Sequence, residues 1–170
     1  MTSLVGAIGT MMLRELVTLR KEIEAYPSDE SLWKVVPGIS NSGGTLALHL
    51  AGNLQHFIGA VLGASGYIRD REAEFSVRGL SRAEVMNLID QATASLTQTF
   101  RSLTDEVLGR PYPERVGKVR LTTGDFLVHL EGHLSYHLGQ IDYHRRMTTG
   151  SGALSGAMSP GALVSAVHEE

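Results

Sequence analysis

Six of the seven histidines of this 170-residue chain fall in two groups, and their spacing is the chain's clearest chemical signal. His129, His133 and His137 repeat every four residues, so on a helix they form a stripe along one side. His144 lies two turns further on. His49 and His56 belong to an earlier apolar stretch, TLALHLAGNLQHFIGAVL. Two imidazoles at i and i+4 present two nitrogens to one ion, and a third histidine from a facing helix would complete a three-nitrogen set. The expected set is His49, His133 and His137. Three protein nitrogens leave positions open on the ion, as in catalytic and not structural sites. Zinc and nickel suit imidazole best, while iron and manganese also accept it. Water bound to such an ion has a lowered pKa and can act as a nucleophile or base near neutral pH.

The bland alternative is that these histidines are core residues satisfied by neighbouring side chains, since a lone H-x-x-x-H arises readily by chance. His129 and His56 each lie within reach of the same face and compete for a ligand or supporting role. Asn53, Glu131, Gln140 and Asp142 are candidates to orient the imidazoles. For Glu131 and Asp142 the spacing favours surface or interhelical hydrogen bonds.

Four helical patterns must position these groups, and no convincing sheet accompanies them, so the fold class is all-α, a four-helix bundle. The first runs from about Ser3 to Ala25, with Leu4, Ile8, Met12, Leu16 and Leu19 as its core stripe, and Pro27 ends it. The second spans Thr45 to about Leu62, capped by Ser42 or Thr45, and places His49 on its apolar face. The third opens on the capping box Ser81–Glu84 and runs to about Leu103. The fourth starts at Thr122 or Thr123 and continues to about Met147, with Arg145 and Arg146 suiting its C-terminal end. Between the second and third, Gly63–Gly79 reads as a polar loop long enough to cross the end of a bundle. Arg69, Arg71 and Arg78 in this loop, or Arg120, are candidates to bind an anionic cofactor. Trp33, the single tryptophan, either plugs one end of the core or forms a pocket wall. Gly52 and Gly59 weaken their helix and suggest close packing or room beside a ligand. Residues 1–147 form the bundle and 148–170 a Gly/Ser/Ala-rich flexible tail, locally helical near Leu163–His168, with His168 exposed.

Bulk properties exclude several functions. A net charge of −3 without a basic stripe argues against nucleic acid. The absence of cysteine removes disulfides, thiol nucleophiles and thiolate metal sites. No apolar run approaches the roughly 18 residues needed to cross a membrane, and the N-terminal apolar run lacks the basic residues of a signal peptide. A cytoplasmic protein is expected. Surplus apolar area on the first helix at Met11 and Met12 suggests a homodimer.

The run His133-Leu134-Ser135-Tyr136-His137-Leu138-Gly139-Gln140-Ile141 resembles the H-x-x-[YH]-H-x-G-Q-[IL] signature of the DinB/YfiT-like superfamily of metalloenzymes. Leu46-Ala47-Leu48-His49-Leu50-Ala51 resembles that family's first histidine motif, and Leu32-Trp33, Pro37-Gly38 and Asn41-Ser42 fit the approach to it. The resemblance covers about Leu4 to Met147 and is strongest to a DinB-like branch without an assigned reaction. It implies a DinB-like bundle with a long crossover between helices two and three, frequent homodimers, and a divalent metal on His49, His133 and His137, with His129 outside the trio. Characterised relatives use a low-molecular-weight thiol as cofactor, in S-transfer or maleylpyruvate isomerisation. Two readings follow: a metal-dependent enzyme, an S-transferase or hydrolase, activating a thiol or water on a small-molecule substrate, or a non-catalytic bundle that binds a ligand or partner with structural histidines.

Overall fold

Short hydroxylated side chains fix where the long helices begin. In the computed structural model, which describes residues 3–153, 160–163 and 165–167, Ser3 caps α1 (Leu4–Glu24) by accepting from the Gly6 N–H. Ser42 caps α3 (Gly43–Leu54) through the Thr45 N–H, after a short α2 (Asp29–Trp33). Ser81 and Glu84 form the expected reciprocal capping box of α5 (Arg82–Ser102). Thr122 caps α6 (Thr123–Thr149), whose far end closes on Gly150 in the left-handed conformation. Each cap satisfies backbone N–H groups that the first turn leaves unpaired.

The four long helices, α1, α3, α5 and α6, bury one continuous apolar core that includes Met12, Leu16, Leu50, Leu96, Leu130 and Leu134. Their directions follow from paired contacts. Gly9 packs on Phe100 and Arg20 pairs with Asp90, so α1 and α5 are antiparallel. Glu15 accepts from Ser135 and Glu22 pairs with Arg145, so α1 and α6 are parallel. His49 meets His133 while Gly43 lies by His144, so α3 and α6 are antiparallel. Gly59 packs on Ser95 and Gly63 on Thr99, so α5 runs parallel to the helix that carries His49. A parallel pair cannot be joined by a tight turn. The connection must travel back along the molecule, which is the crossover expected from the sequence.

Several expectations change in detail. The second helix does not stay α-helical: residues Gln55–Ala60 widen into a π-helical turn, a departure that hydrophobic periodicity does not reveal. The segment read as a plain polar loop contains α4 (Arg71–Ser76), capped by Asp70 and packed on α3. Met12 is fully buried, so it offers no spare surface to a second copy. Arg145 is buried as well. It pairs with Glu22 and with Asp142, and donates to the Ala153 carbonyl at 2.8 Å, partners that its place near the helix end does not reveal. Trp33 acts as a plug: its indole covers Gly44 and its Nε1–H donates to the Leu80 carbonyl at 2.7 Å. A single 3₁₀ turn, Pro160–Ala162, is the regular structure described beyond α6. The helix expected near Leu163–His168 falls partly, and His168 wholly, outside the described residues. Among the described residues no helix is long and apolar enough to cross a membrane.

Candidate metal centre

His49 on α3 and His133 and His137 on α6 come together where the two antiparallel helices face each other. His133 Nε2 lies 3.3 Å from His49 Nε2 and 3.1 Å from His137 Nε2. The rings stand edge-on to one another, with interplanar angles of 82° to 89°. One ligand nitrogen from each residue lies within 4.8 Å of the others, so the group is able to hold a metal ion. Two nitrogens bonded to one tetrahedral ion at about 2.0–2.1 Å are separated by about 3.3 Å. The observed separations match that value closely.

The partners of the outer ring nitrogens decide the tautomers. Glu74 on α4 accepts from His49 Nδ1 at 2.9 Å, and a carboxylate can only accept. The proton of His49 is therefore on Nδ1, leaving the Nε2 lone pair free to face the centre. Gln140 Oε1 likewise accepts from His137 Nδ1 at 2.7 Å and frees His137 Nε2. His133 Nδ1 is buried and makes no hydrogen bond among the described residues, so its ring is fixed by packing, stacked on His129 and edge-on to His49 and His137. Phe75 lies 4.8 Å from the His49 ring centroid and Tyr136 5.3 Å from that of His137.

Electrostatics favour neutral rings. Burial, and then the neighbouring His137, His49, His129 and Arg69 charges, push His133 down to about 4. Burial also lowers His137, against a rise from Gln140. These imidazoles are deprotonated at neutral pH and would lose no proton on ligation. Burial alone would raise the Glu74 carboxyl. The hydrogen bonds from Arg69 and His49 outweigh that and hold it below its ordinary value. Arg69 donates to it twice, from Nε at 2.6 Å and Nη2 at 2.8 Å.

Glu74 and Arg69 were not among the orienting groups expected from the sequence. The signal available was Gly52, one turn past His49: a Cβ there would strike the Glu74 carboxylate, so the glycine is the space the carboxylate occupies. Of the expected orienting groups, Gln140 does serve. Glu131 instead lies 3.1 Å from the Ser135 hydroxyl, whose hydrogen goes to Glu15, Asp142 accepts from Arg145 and Arg146, and buried Asn53 makes no side-chain hydrogen bond among the described residues. His129 lies exposed outside the trio, and His56 faces Glu114 at 3.2 Å. His144 is structural. Its Nε2–H donates to the Lys34 carbonyl at 2.8 Å, so Nδ1 accepts from the Tyr26 hydroxyl at 2.7 Å, a phenol that burial keeps protonated. Of the loop arginines, Arg69 is engaged by Glu74, Arg78 by backbone carbonyls, and Arg71 lies over the Phe75 ring.

Two cavities flank the centre without taking the trio into their walls. One, of about 190 Å³, lies behind Glu74 and is lined by Leu48, Gly52, Tyr67 and Ala73. The other, of about 450 Å³, is lined by Leu46, Asn41, Gln140, Tyr143 and His144, and adjoins the trio through Gln140.

Comparison with known families agrees with this architecture. The DinB superfamily pattern matches residues 12–141, and the chain belongs to that superfamily. No curated protein and no solved structure matches it.

Proposed function

We propose that His49, His133 and His137 hold one divalent transition ion, zinc or nickel before iron or manganese, and that the protein is a metal-dependent enzyme acting on a small molecule. The carrying observation is the convergence of three Nε2 atoms, two of them with their lone pairs freed by Nδ1–H bonds to Glu74 and Gln140. An ion in this site would supply Lewis acidity, favouring the deprotonated form of water or of a low-molecular-weight thiol brought to it.

The chain's own residues do the rest. Glu74 orients His49 and adds electron density to its ring, as carboxylates do behind metal-binding histidines. Arg69 compensates the Glu74 charge and keeps it ionised. Gln140 sets the tautomer of His137 without adding charge. Phe75 and Tyr136 flank the ligand rings and limit their access to bulk water.

A second reading has one observation in its favour. At 3.1 and 3.3 Å the three Nε2 atoms are also within N–H···N range, so the cluster could close on itself as the core of a binding bundle. One His133 Nε2 hydrogen can serve only one of its two neighbours, however, and this arrangement leaves a buried lone pair unpaired. Elemental analysis of untagged protein purified without chelators separates the two. About one equivalent of transition metal, lost in His133→Ala, is expected. A folded protein that takes up neither zinc nor nickel would leave the binding-bundle reading standing.

A further inference from the structure

Arg69 is a buried cation with half of its hydrogen-bonding edge unused. Its side chain is 11% exposed. Nε and Nη2 form a fork on Glu74, while Nη1 makes no hydrogen bond among the described residues and is not sealed from solvent. A guanidinium carries five N–H groups, and only two are engaged here. The end-on edge, Nη1 with the second Nη2 hydrogen, remains open to a second carboxylate. Glu74 Oε2 is shared between this guanidinium and His49 Nδ1, at 2.8 and 2.9 Å, so Arg69 stands immediately behind the trio.

The surface between the two is built of matched residues on the antiparallel α3 and α6. His49 faces His133, and Phe57 in the π-helical turn faces Phe126 with ring centroids 5.1 Å apart. Asn53 lies between His49 and Phe57 on one helix, as His129 lies between His133 and Phe126 on the other. His129 stacks on both of its neighbours, and the Arg69 guanidinium lies 5.4 Å above the Phe57 ring. An aromatic wall therefore runs from the central ligand to the guanidinium. Midway along it, Asn53 Oδ1 is buried without a donor among the described residues, an arrangement that costs stability unless a ligand supplies the hydrogen.

We propose that the seam between α3 and α6 along this wall serves as a substrate-binding furrow and that it takes a small carboxylate-bearing molecule. The carboxylate would sit on the open edge of Arg69, an N–H or O–H would donate to Asn53 Oδ1, and the reactive group would face the histidines. The assignment rests on the reading of the trio as a metal centre and adds the charge of the substrate to it.

The test uses the full chain loaded with Co²⁺, whose visible absorption reports thiolate binding without any activity. Mercaptopropionate and mercaptoethanol are titrated separately, and the ratio of their affinities is read in the parent and in Arg69→Lys, which keeps a charge beside Glu74 but has no fork. Chelation by the carboxylate is common to both proteins and cancels in the comparison. The preference for mercaptopropionate should fall about tenfold in the variant, the loss of one charge-assisted pair. An unchanged ratio in a cobalt-loaded Arg69→Lys protein overturns the groove while leaving the metal centre intact. Absence of cobalt uptake by the parent overturns both, and is read before any thiol is added. Should Arg69→Lys fail to take up cobalt, Asn53→Asp sets a negative charge in the furrow without touching Glu74. It should lower the same ratio about tenfold, and an unchanged ratio there overturns the groove equally.

Discussion

Replacing Glu74 by glutamine keeps the shape of the side chain and removes one charge, and two consequences follow from where that charge sits. The amide can still accept from His49 Nδ1 or from Arg69, but no longer as a carboxylate shared by three N–H groups at 2.6–2.9 Å. Loss of such a partner behind a ligating histidine weakens metal binding tenfold to a hundredfold, about 1.4–2.7 kcal/mol. Arg69 also loses the anion that compensates it. Removing one member of a fully buried pair costs about 3–5 kcal/mol; since the amide still accepts one bond, about 2–3 kcal/mol is expected, roughly 5–10 °C in melting temperature for a chain of this size. The linkage sign is fixed by the depressed carboxyl. A group whose folded pKa lies below its unfolded value contributes stability that is present above the ordinary value of 4.5 and is lost as pH falls through the folded one. The gap between parent and Glu74→Gln should therefore be full at pH 7 and close in acid. Zinc affinity by competition with a chromophoric chelator, and thermal melts of the metal-free proteins across pH, measure both parts. A variant that melts as expected yet binds zinc within twofold of the parent would refute the claim that Glu74 prepares His49 as a ligand.

Three further outcomes follow from the same geometry. Gly52→Ala places a methyl group where the Glu74 carboxylate lies, so it should cost about 1–3 kcal/mol through overpacking and weaken zinc binding as well, read by the same competition assay. His56→Ala and His129→Ala, separately, should leave the metal stoichiometry of the parent unchanged, because one histidine faces Glu114 and the other lies outside the trio; loss of the metal in either would require a different ligand set. The metal-free protein should lose stability as pH falls from the ordinary histidine value of 6.5 toward about 4, since the unfolded chain protonates His133 over that range and the fold does not; urea titrations across pH should show a flatter profile for His133→Asn.

The histidine trio was legible because its spacing is local. His133 and His137 share a face by helical spacing, and His49 had to be accounted for as a polar group on an apolar face. Helix starts were legible for the same reason: a cap such as Ser81 with Glu84 is a contact three residues long. What failed to show in the sequence depends on distant pairing. Arg145 looks like a helix-end charge until Glu22, on another helix, is brought against it. Glu74 looks like one more acid in a charged loop, because neither its own burial nor the space left by Gly52 has a sequence period.

The topology explains why the supporting charges come from that loop. With α5 parallel to the His49 helix, the chain leaving Gly63 has to return along the outside of α3 before α5 can begin. That return path is the place where a side chain can approach His49 from behind, since its front faces α6. A short helix, α4, capped by Asp70 and laid on α3, fixes Glu74 there, and Arg69 at its approach supplies the counter-charge from the same segment. In an up-and-down bundle with tight turns, the back of His49 would face a neighbouring helix or solvent, and a buried carboxylate with its own cation would be harder to provide. The crossover thus connects two helices and also carries the part of the site that orients His49. The argument predicts that substitutions in residues 69–74 alter metal affinity more than equally exposed substitutions in residues 114–120, a connection that supplies no partner to the trio.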